Sequence, residues 1–268
     1  MLLVTIERAV PTAGALGPAA VSRTKAAVRR DAPTIIFPIL ASLPLDSDHT
    51  VGGMLNEREH LTTRIEQAAR SAQPISARAN PELSRVEMTF SIDLYNELAP
   101  VFAAHSRPSR METRLGWIAG TDYTGILIYA AGELPVFGTQ TAERLEPALF
   151  PAIRYLRGPD ALLYTLAQAH HIDPGTLASD GPVAYTDDVQ AVGLGDRIGT
   201  RPLRLLAVGV FGGNPTDIVL TERDALQIIS SEHNRSLIRE GRLVIVVDSA
   251  VRRTVHASSA PSITASGP

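Results

Sequence analysis

The chain of 268 residues suits one large domain or two ordinary ones, since domains usually run about 100–200 residues. With 44% hydrophobic and 20% charged residues it has the balance of a packed globular protein, which excludes disorder throughout, and its net charge of −3 excludes an overall field that would gather nucleic acid or an anionic membrane. The absence of cysteine excludes disulfides, thiolate metal sites, a cysteine nucleophile and a lipid anchor attached through cysteine.

The start, Met1 to Val10, has only Glu7 and Arg8 as charges and lacks the basic region and long apolar core of a secretion signal. Residues 11–34 are rich in Ala, Gly and Pro and read as a linker carrying Arg23, Lys25, Arg29 and Arg30. The apolar run Ile35 to Leu43 follows them. Basic, then apolar, then small is the order of a signal peptide, but the run is short and Pro38 breaks it. It therefore reads as a buried strand after a basic linker, and residues 1–40 as an irregular N-terminal extension or an unrecognised signal region. No run approaches the roughly 20 apolar residues of a membrane-spanning helix, so no transmembrane segment is expected.

Asn56 can cap a helix in which Leu61, Ile65, Ala68 and Ala69 share one face. Pro74 and Asn80-Pro81 then break the chain. Val86 to Asp93 alternates without a fault, with Val86, Met88, Phe90 and Ile92 on one side, and predicts a strand with one buried face. Leu94 to Ala104 predicts a short helix. Gly125 to Tyr129 predicts a strand against which Leu134 to Phe137 can return. Ala161 to His170 reads as a helix ended by Pro174, and Leu203 to Phe211 as one strand stopped by Gly212-Gly213-Asn214-Pro215. Ile218 to Leu220 leads to Thr221, a helix cap, with Glu222 and Asp224 in the positive first turn and Ala225, Ile228 and Ile229 on the inner face. Ser236 to Glu240 adds a turn ended by Gly241. Leu243 to Val247 is apolar and β-branched throughout, which predicts a central strand covered on both faces.

The pattern predicts an α+β fold: a mixed β-sheet covered by helices, in one main domain over residues 41–248, with about 41–120 and 121–248 as candidate subdomains. Ser249 to Pro268, Ser/Ala/Thr-rich with Arg252 and Arg253 as its charges, reads as a disordered tail.

Four groups carry candidate chemistry. His170, His171 and Asp173 could bind a metal, which makes a metal- or small-molecule-binding enzyme the alternative functional reading. Adjacent helical residues point about 100° apart, however, and a structural helix end accounts for the pair. The stretch from Gly212 to Asp217 follows a strand, as nucleotide loops do, but its glycines run into Asn-Pro instead of Gly-Lys-Ser/Thr, so it reads as a turn. Asp187-Asp188 reads as a solvated acid pair, since catalytic carboxylates usually come from separate segments. Arg107, Arg110 and Arg114, with His105, form the densest basic group, interrupted by Pro108 and without an aromatic for base stacking, so nucleic acid is not an expected partner. No catalytic, cofactor-binding or metal-ligating residue is assigned, and no cofactor is expected.

Ser84 to Pro100 and Tyr123-Thr124-Gly125-Ile126-Leu127-Ile128 resemble a group of bacterial envelope proteins. These are secreted or lipid-anchored α+β proteins related to the basal-disk lipoprotein of polar flagella and to small outer-membrane lipoproteins. Glu146 to Ile153, Arg201 to Gly212 and Thr216 to Asp248 match in the same order. The arrangement is especially similar to periplasmic spirochaete proteins with a Glu-Leu-Pro-Val turn, here Glu133 to Val136, and an Ala-Leu-Gln-Ile-Ile-Ser-Ser-Glu-His-Asn-Arg helix, here Ala225 to Arg235. The resemblance implies an exported, non-enzymatic envelope protein that works by binding proteins, itself or components around the flagellar motor among them. The chain departs from the group at Ile128-Tyr129-Ala130-Ala131-Gly132, where two charges are replaced. It also departs in an insertion around Gly138 to Arg144 and in the missing lipid-attachment cysteine, which implies a periplasmic protein. Leu43-Pro44-Leu45-Asp46 looks like the start of a mature envelope domain.

Overall fold

The computed structural model describes residues 2–11, 17–57, 60–114, 121–191, 193–248 and 255–258. They fall into two compact units: Met1–Ser42 with Leu55–Leu94 and Arg253–Pro268, and Leu43–Met54 with Tyr95–Arg252. The fold is α+β, and among the described residues no helix is long and apolar enough to cross a membrane.

The first unit contains β1 (Leu2–Ala9), α1 (Pro18–Ala41), α3 (His60–Arg70), β2 (Gln73–Ala79), β3 (Arg85–Ile92) and β14 (Val255–Ser258); α2 (Val51–Glu57) precedes α3. Its sheet runs β14-β1-β3-β2, with β14 parallel to β1 and the other pairs antiparallel. The alternation in β3 sets its architecture. Val86, Met88, Phe90 and Ile92 are buried, and the register Val4↔Phe90 and Ile6↔Met88 brings the buried residues of β1 to the same face. Helix α1 packs on that face and on α3, whose Leu61, Ile65, Ala68 and Ala69 are buried as their spacing predicts. Asn56 lies in α2 rather than at the start of α3.

Here the first forty residues depart from expectation. Leu2–Ala9 is an inner strand, and the stretch read as linker and strand is a 24-residue helix despite Pro33 and Pro38 inside it. Val28, Ala32, Ile36 and Leu40 recur every four residues and are all buried, so packing of that stripe outweighs the roughly 3 kcal/mol cost of an internal proline. Residues 12–16 of the linker lie outside the described residues. Within the stretch read as a tail, residues 255–258 pair with β1, and the rest of 249–268 lies outside the described residues.

The second unit holds two four-stranded sheets. One is wholly parallel in the order β10 (Leu203–Leu206), β4 (Ile126–Tyr129), β13 (Leu243–Val246), β9 (Ala184–Thr186). The other is mixed: β11 (Gly209–Phe211), β12 (Asp217–Leu220), β7 (Ile153–Arg157), β8 (Leu162–Ala167). A ribbon joins β5 (Glu133–Pro135) to β6 (Ala142–Arg144). Helices α4 (Leu94–Phe102), α5 (Pro174–Ser179), α6 (Leu194–Ile198), α7 (Glu222–Ile229) and α8 (Glu232–Arg239) complete it, with a 3-10 turn at Ala169–His171. Ile126, Ile128 and Ile245 of the parallel sheet, Tyr155 and Ile218 of the mixed one, and Ile228 and Leu237 of α7 and α8 share one core. The other face of β13, Val244 and Val246, packs with Leu127 and Ile198, so this strand is covered on both sides as its composition predicts. Thr221 caps α7 by accepting from Asp224 N, again as predicted.

Three local expectations are corrected. The stretch read as a helix over Ala161 to His170 is instead strand β8, Leu162–Ala167, followed by the 3-10 turn at Ala169–His171; the apolar pairs Leu162-Leu163 and Leu166-Ala167 suit either period. A tight turn with Gly158 at φ +72° folds the segment back onto β7, pairing Tyr155 with Tyr164. Leu134 pairs with β6, not β4. Leu203 to Phe211 is split into β10 and β11, which lie in different sheets.

Candidate functional site

The most enclosed charge in the second unit is Asp217, the first residue of β12, which is 1% exposed. Parallel pairing of β12 with β7 places it beside the entry to β7. There Oδ1 accepts from Ala152 N at 3.0 Å and Oδ2 from Arg154 Nε at 2.7 Å. The Ser47 side chain also favours the charged carboxylate, while its hydroxyl donates to Asp48 Oδ2 at 3.2 Å. Burial pushes the Asp217 carboxyl up from its ordinary range against these three favourable partners. Arg154 in turn reaches the Thr165 hydroxyl and lies over the Phe211 ring, 4.4 Å from its centroid.

The stretch from Gly212 to Asp217 forms the turn its Gly and Pro predict, and its role is to grip a neighbouring segment. Asn214 N donates to Ser47 O at 2.9 Å, and Gly212, at φ +115°, lies so close that an added Cβ would sit 2.3 Å from Ser47 Cβ. The segment held there also bonds residues before β7, through Leu149 N to Pro44 O and Phe150 N to Leu45 O. The Thr216 hydroxyl is buried without a hydrogen-bond partner beside this joint.

The histidine pair sits in the 3-10 turn after β8 rather than at a helix end. The rings of His170 and His171 lie against each other with centroids 4.2 Å apart, tilted by 47°. His171 Nδ1 accepts from Gln168 N at 2.9 Å, which assigns the proton to Nε2 in the neutral ring. Burial, followed by the neighbouring His170, pushes His171 down to about 4; burial and His105 lower His170. His105 spans the carbonyls of Ala103 and Ile172 at 2.9 and 2.7 Å. Asp173 starts α5 and its backbone N donates to Arg239 O. Among the described residues no three His, Asp or Glu side chains come together to hold a metal ion.

The other candidates are dispersed. Asp188 caps its own turn, its Oδ1 accepting from Gln190 N and its carbonyl from the Thr186 hydroxyl. Arg107 and Arg110 are exposed, whereas Arg114 pairs with Glu222 at 2.8 Å, in the first turn of α7. Glu222 also accepts from Gly158 N, and Glu112 accepts from the Tyr155 hydroxyl at 2.8 Å. Arg197 donates to the carbonyls of Asp180 and Gly181 at the end of α5, and burial lowers its pKa. Sequence reasoning misses the Asp217–Arg154 joint and the Glu112–Tyr155 contact. The signal for the first was a charge opening the short apolar run Ile218–Leu220. Chemically these groups satisfy one another, so the arrangement fixes segments in place.

Two family models match the chain in succession. Residues 2–101 match the model described as Treponema pallidum Tp0624, N-terminal domain, and residues 125–249 the model described as Treponema pallidum Tp0624, second domain. The chain is thus similar to a spirochaete protein over two consecutive domains. Comparison with curated proteins gives no match.

Proposed function

We propose that the protein is a non-enzymatic component of the bacterial periplasm that acts by binding other proteins of the cell envelope. The observation that carries this reading is that its most enclosed carboxylate, Asp217, is engaged within the fold. The carboxylate of Asp217 accepts from Ala152 N and Arg154 Nε, which holds β12 to the start of β7. A general acid or base needs a free lone pair or proton facing its substrate, and this carboxylate faces the fold itself. The paired Tp0624-like domains support a spirochaete-type setting, and the resemblance to flagellar basal-disk lipoproteins makes motor components the partners to test first. Crosslinking in intact cells, followed by recovery of the protein, is expected to yield adducts with envelope or motor proteins or with itself. Adducts confined to cytoplasmic proteins would reject the reading.

A further inference from the structure

We propose that β10 is a docking edge for an extended segment of a partner protein carrying an acidic side chain opposite Arg204 and an apolar one opposite Leu206. The inference rests on the reading of the protein as a protein-binding component and adds the surface and the chemistry.

The edges of its sheets are not alike. An unpaired edge invites another strand, and proteins usually blunt it with proline, bulges, charge or shortness. In the first unit β2 carries Pro74, a register shift after it, and the Lys25 ammonium bonded to Ala77 O. In the second, β9 is three residues long, and at β8 the Arg157 guanidinium lies over the Tyr164 ring. Among the described residues strand β10 has no such cover. Leu203 N donates to Gly125 O and Ala207 N to Tyr129 O, so the alternation turns the backbone N–H and C=O of Arg204 and Leu206 away from β4. That side ends the sheet. Val208 N closes the opening by donating to Val219 O.

The side chains give the edge a chemistry. Arg204, Leu206 and Val208 project to one side by strand periodicity and all are exposed, Leu206 by 64%. Among the described residues no carboxylate pairs with the Arg204 guanidinium. An added strand would pair with the outward backbone groups of Arg204 and Leu206, cover Leu206 and place opposite charge on Arg204. This is strand addition with alternate side chains setting selectivity.

The test uses the full chain and a fluorescein-labelled peptide, Ser-Thr-Glu-Thr-Val-Thr-Val, followed by fluorescence anisotropy. Saturable binding is expected, weakened about fivefold or more by Arg204→Glu and restored when that variant meets the peptide with Lys in place of Glu. Arg204 is exposed, so unchanged thermal unfolding of the variant shows that the fold is kept. No saturable binding, or binding indifferent to both charge reversals, overturns the assignment. The envelope reading is decided separately by where the native protein resides, so a negative peptide result with an envelope location removes the docking edge alone.

Discussion

Arg154 Nε lies 2.7 Å from Asp217 Oδ2, joining neighbouring parallel strands of the mixed sheet through a carboxylate that is almost wholly out of water. Such a pair contributes little net stability against an apolar replacement, but removing one partner strands the other. Asp217→Asn is therefore expected to destabilise the second unit by about 3 kcal/mol, read as a lower urea midpoint. Asp217→Leu combined with Arg154→Met is expected to lose less than the sum of the single changes, and strict additivity in that cycle would refute the coupling.

Gly212→Ala meets two obstacles, the left-handed backbone at φ +115° and the Ser47 side chain 2.3 Å from the new methyl carbon. A loss of about 2 kcal/mol or more is expected from strain and overpacking. Gly213→Ala, whose nearest neighbour would be 3.8 Å away, serves as the mild control. Equal losses at the two positions would contradict the close packing of this turn.

His171 gives the stability a defined pH dependence. Its folded pKa, about 4, lies below the ordinary 6.5, so as pH falls through 6.5 the unfolded chain takes up the proton first. Stability is expected to fall between pH 6.5 and about 4 and then to show no further change from this group. Protonation also removes the acceptor that Gln168 N uses. His171→Asn should flatten that part of the urea-midpoint profile, and an unchanged slope would contradict the neutral, half-buried ring.

Thr221→Ala removes the hydroxyl that accepts from Asp224 N at the start of α7. The expected cost is about 1 kcal/mol, with Thr221→Ser close to wild type. A loss in the serine variant as large as in alanine would show that the methyl packing, rather than the cap, matters.

How much the sequence disclosed depended on whether local period and tertiary pairing agreed. Strand β3 was legible because Val86 to Ile92 carries period two without a fault, and α7 because Thr221, Asp224 and the buried Ala225–Ile228–Ile229 set all point the same way. Helix α1 was not, because Pro33 and Pro38 are local signals against helix that the buried Val28–Ala32–Ile36–Leu40 stripe overrides. Strand β8 failed for a related reason, since its leucines fit two periods and pairing with β7 decides between them. The Asp217 joint brings together three distant stretches of the chain, at Ser47, at Ala152 and Arg154, and at Asp217, so no local pattern announces it.

The central claim, that this protein works in the periplasm, is tested most directly by protease protection in its native host. The account predicts that the protein stays intact in whole cells, is digested once the outer membrane is opened, and fractionates with periplasmic markers. Protection that persists until the cytoplasmic membrane is broken would contradict it.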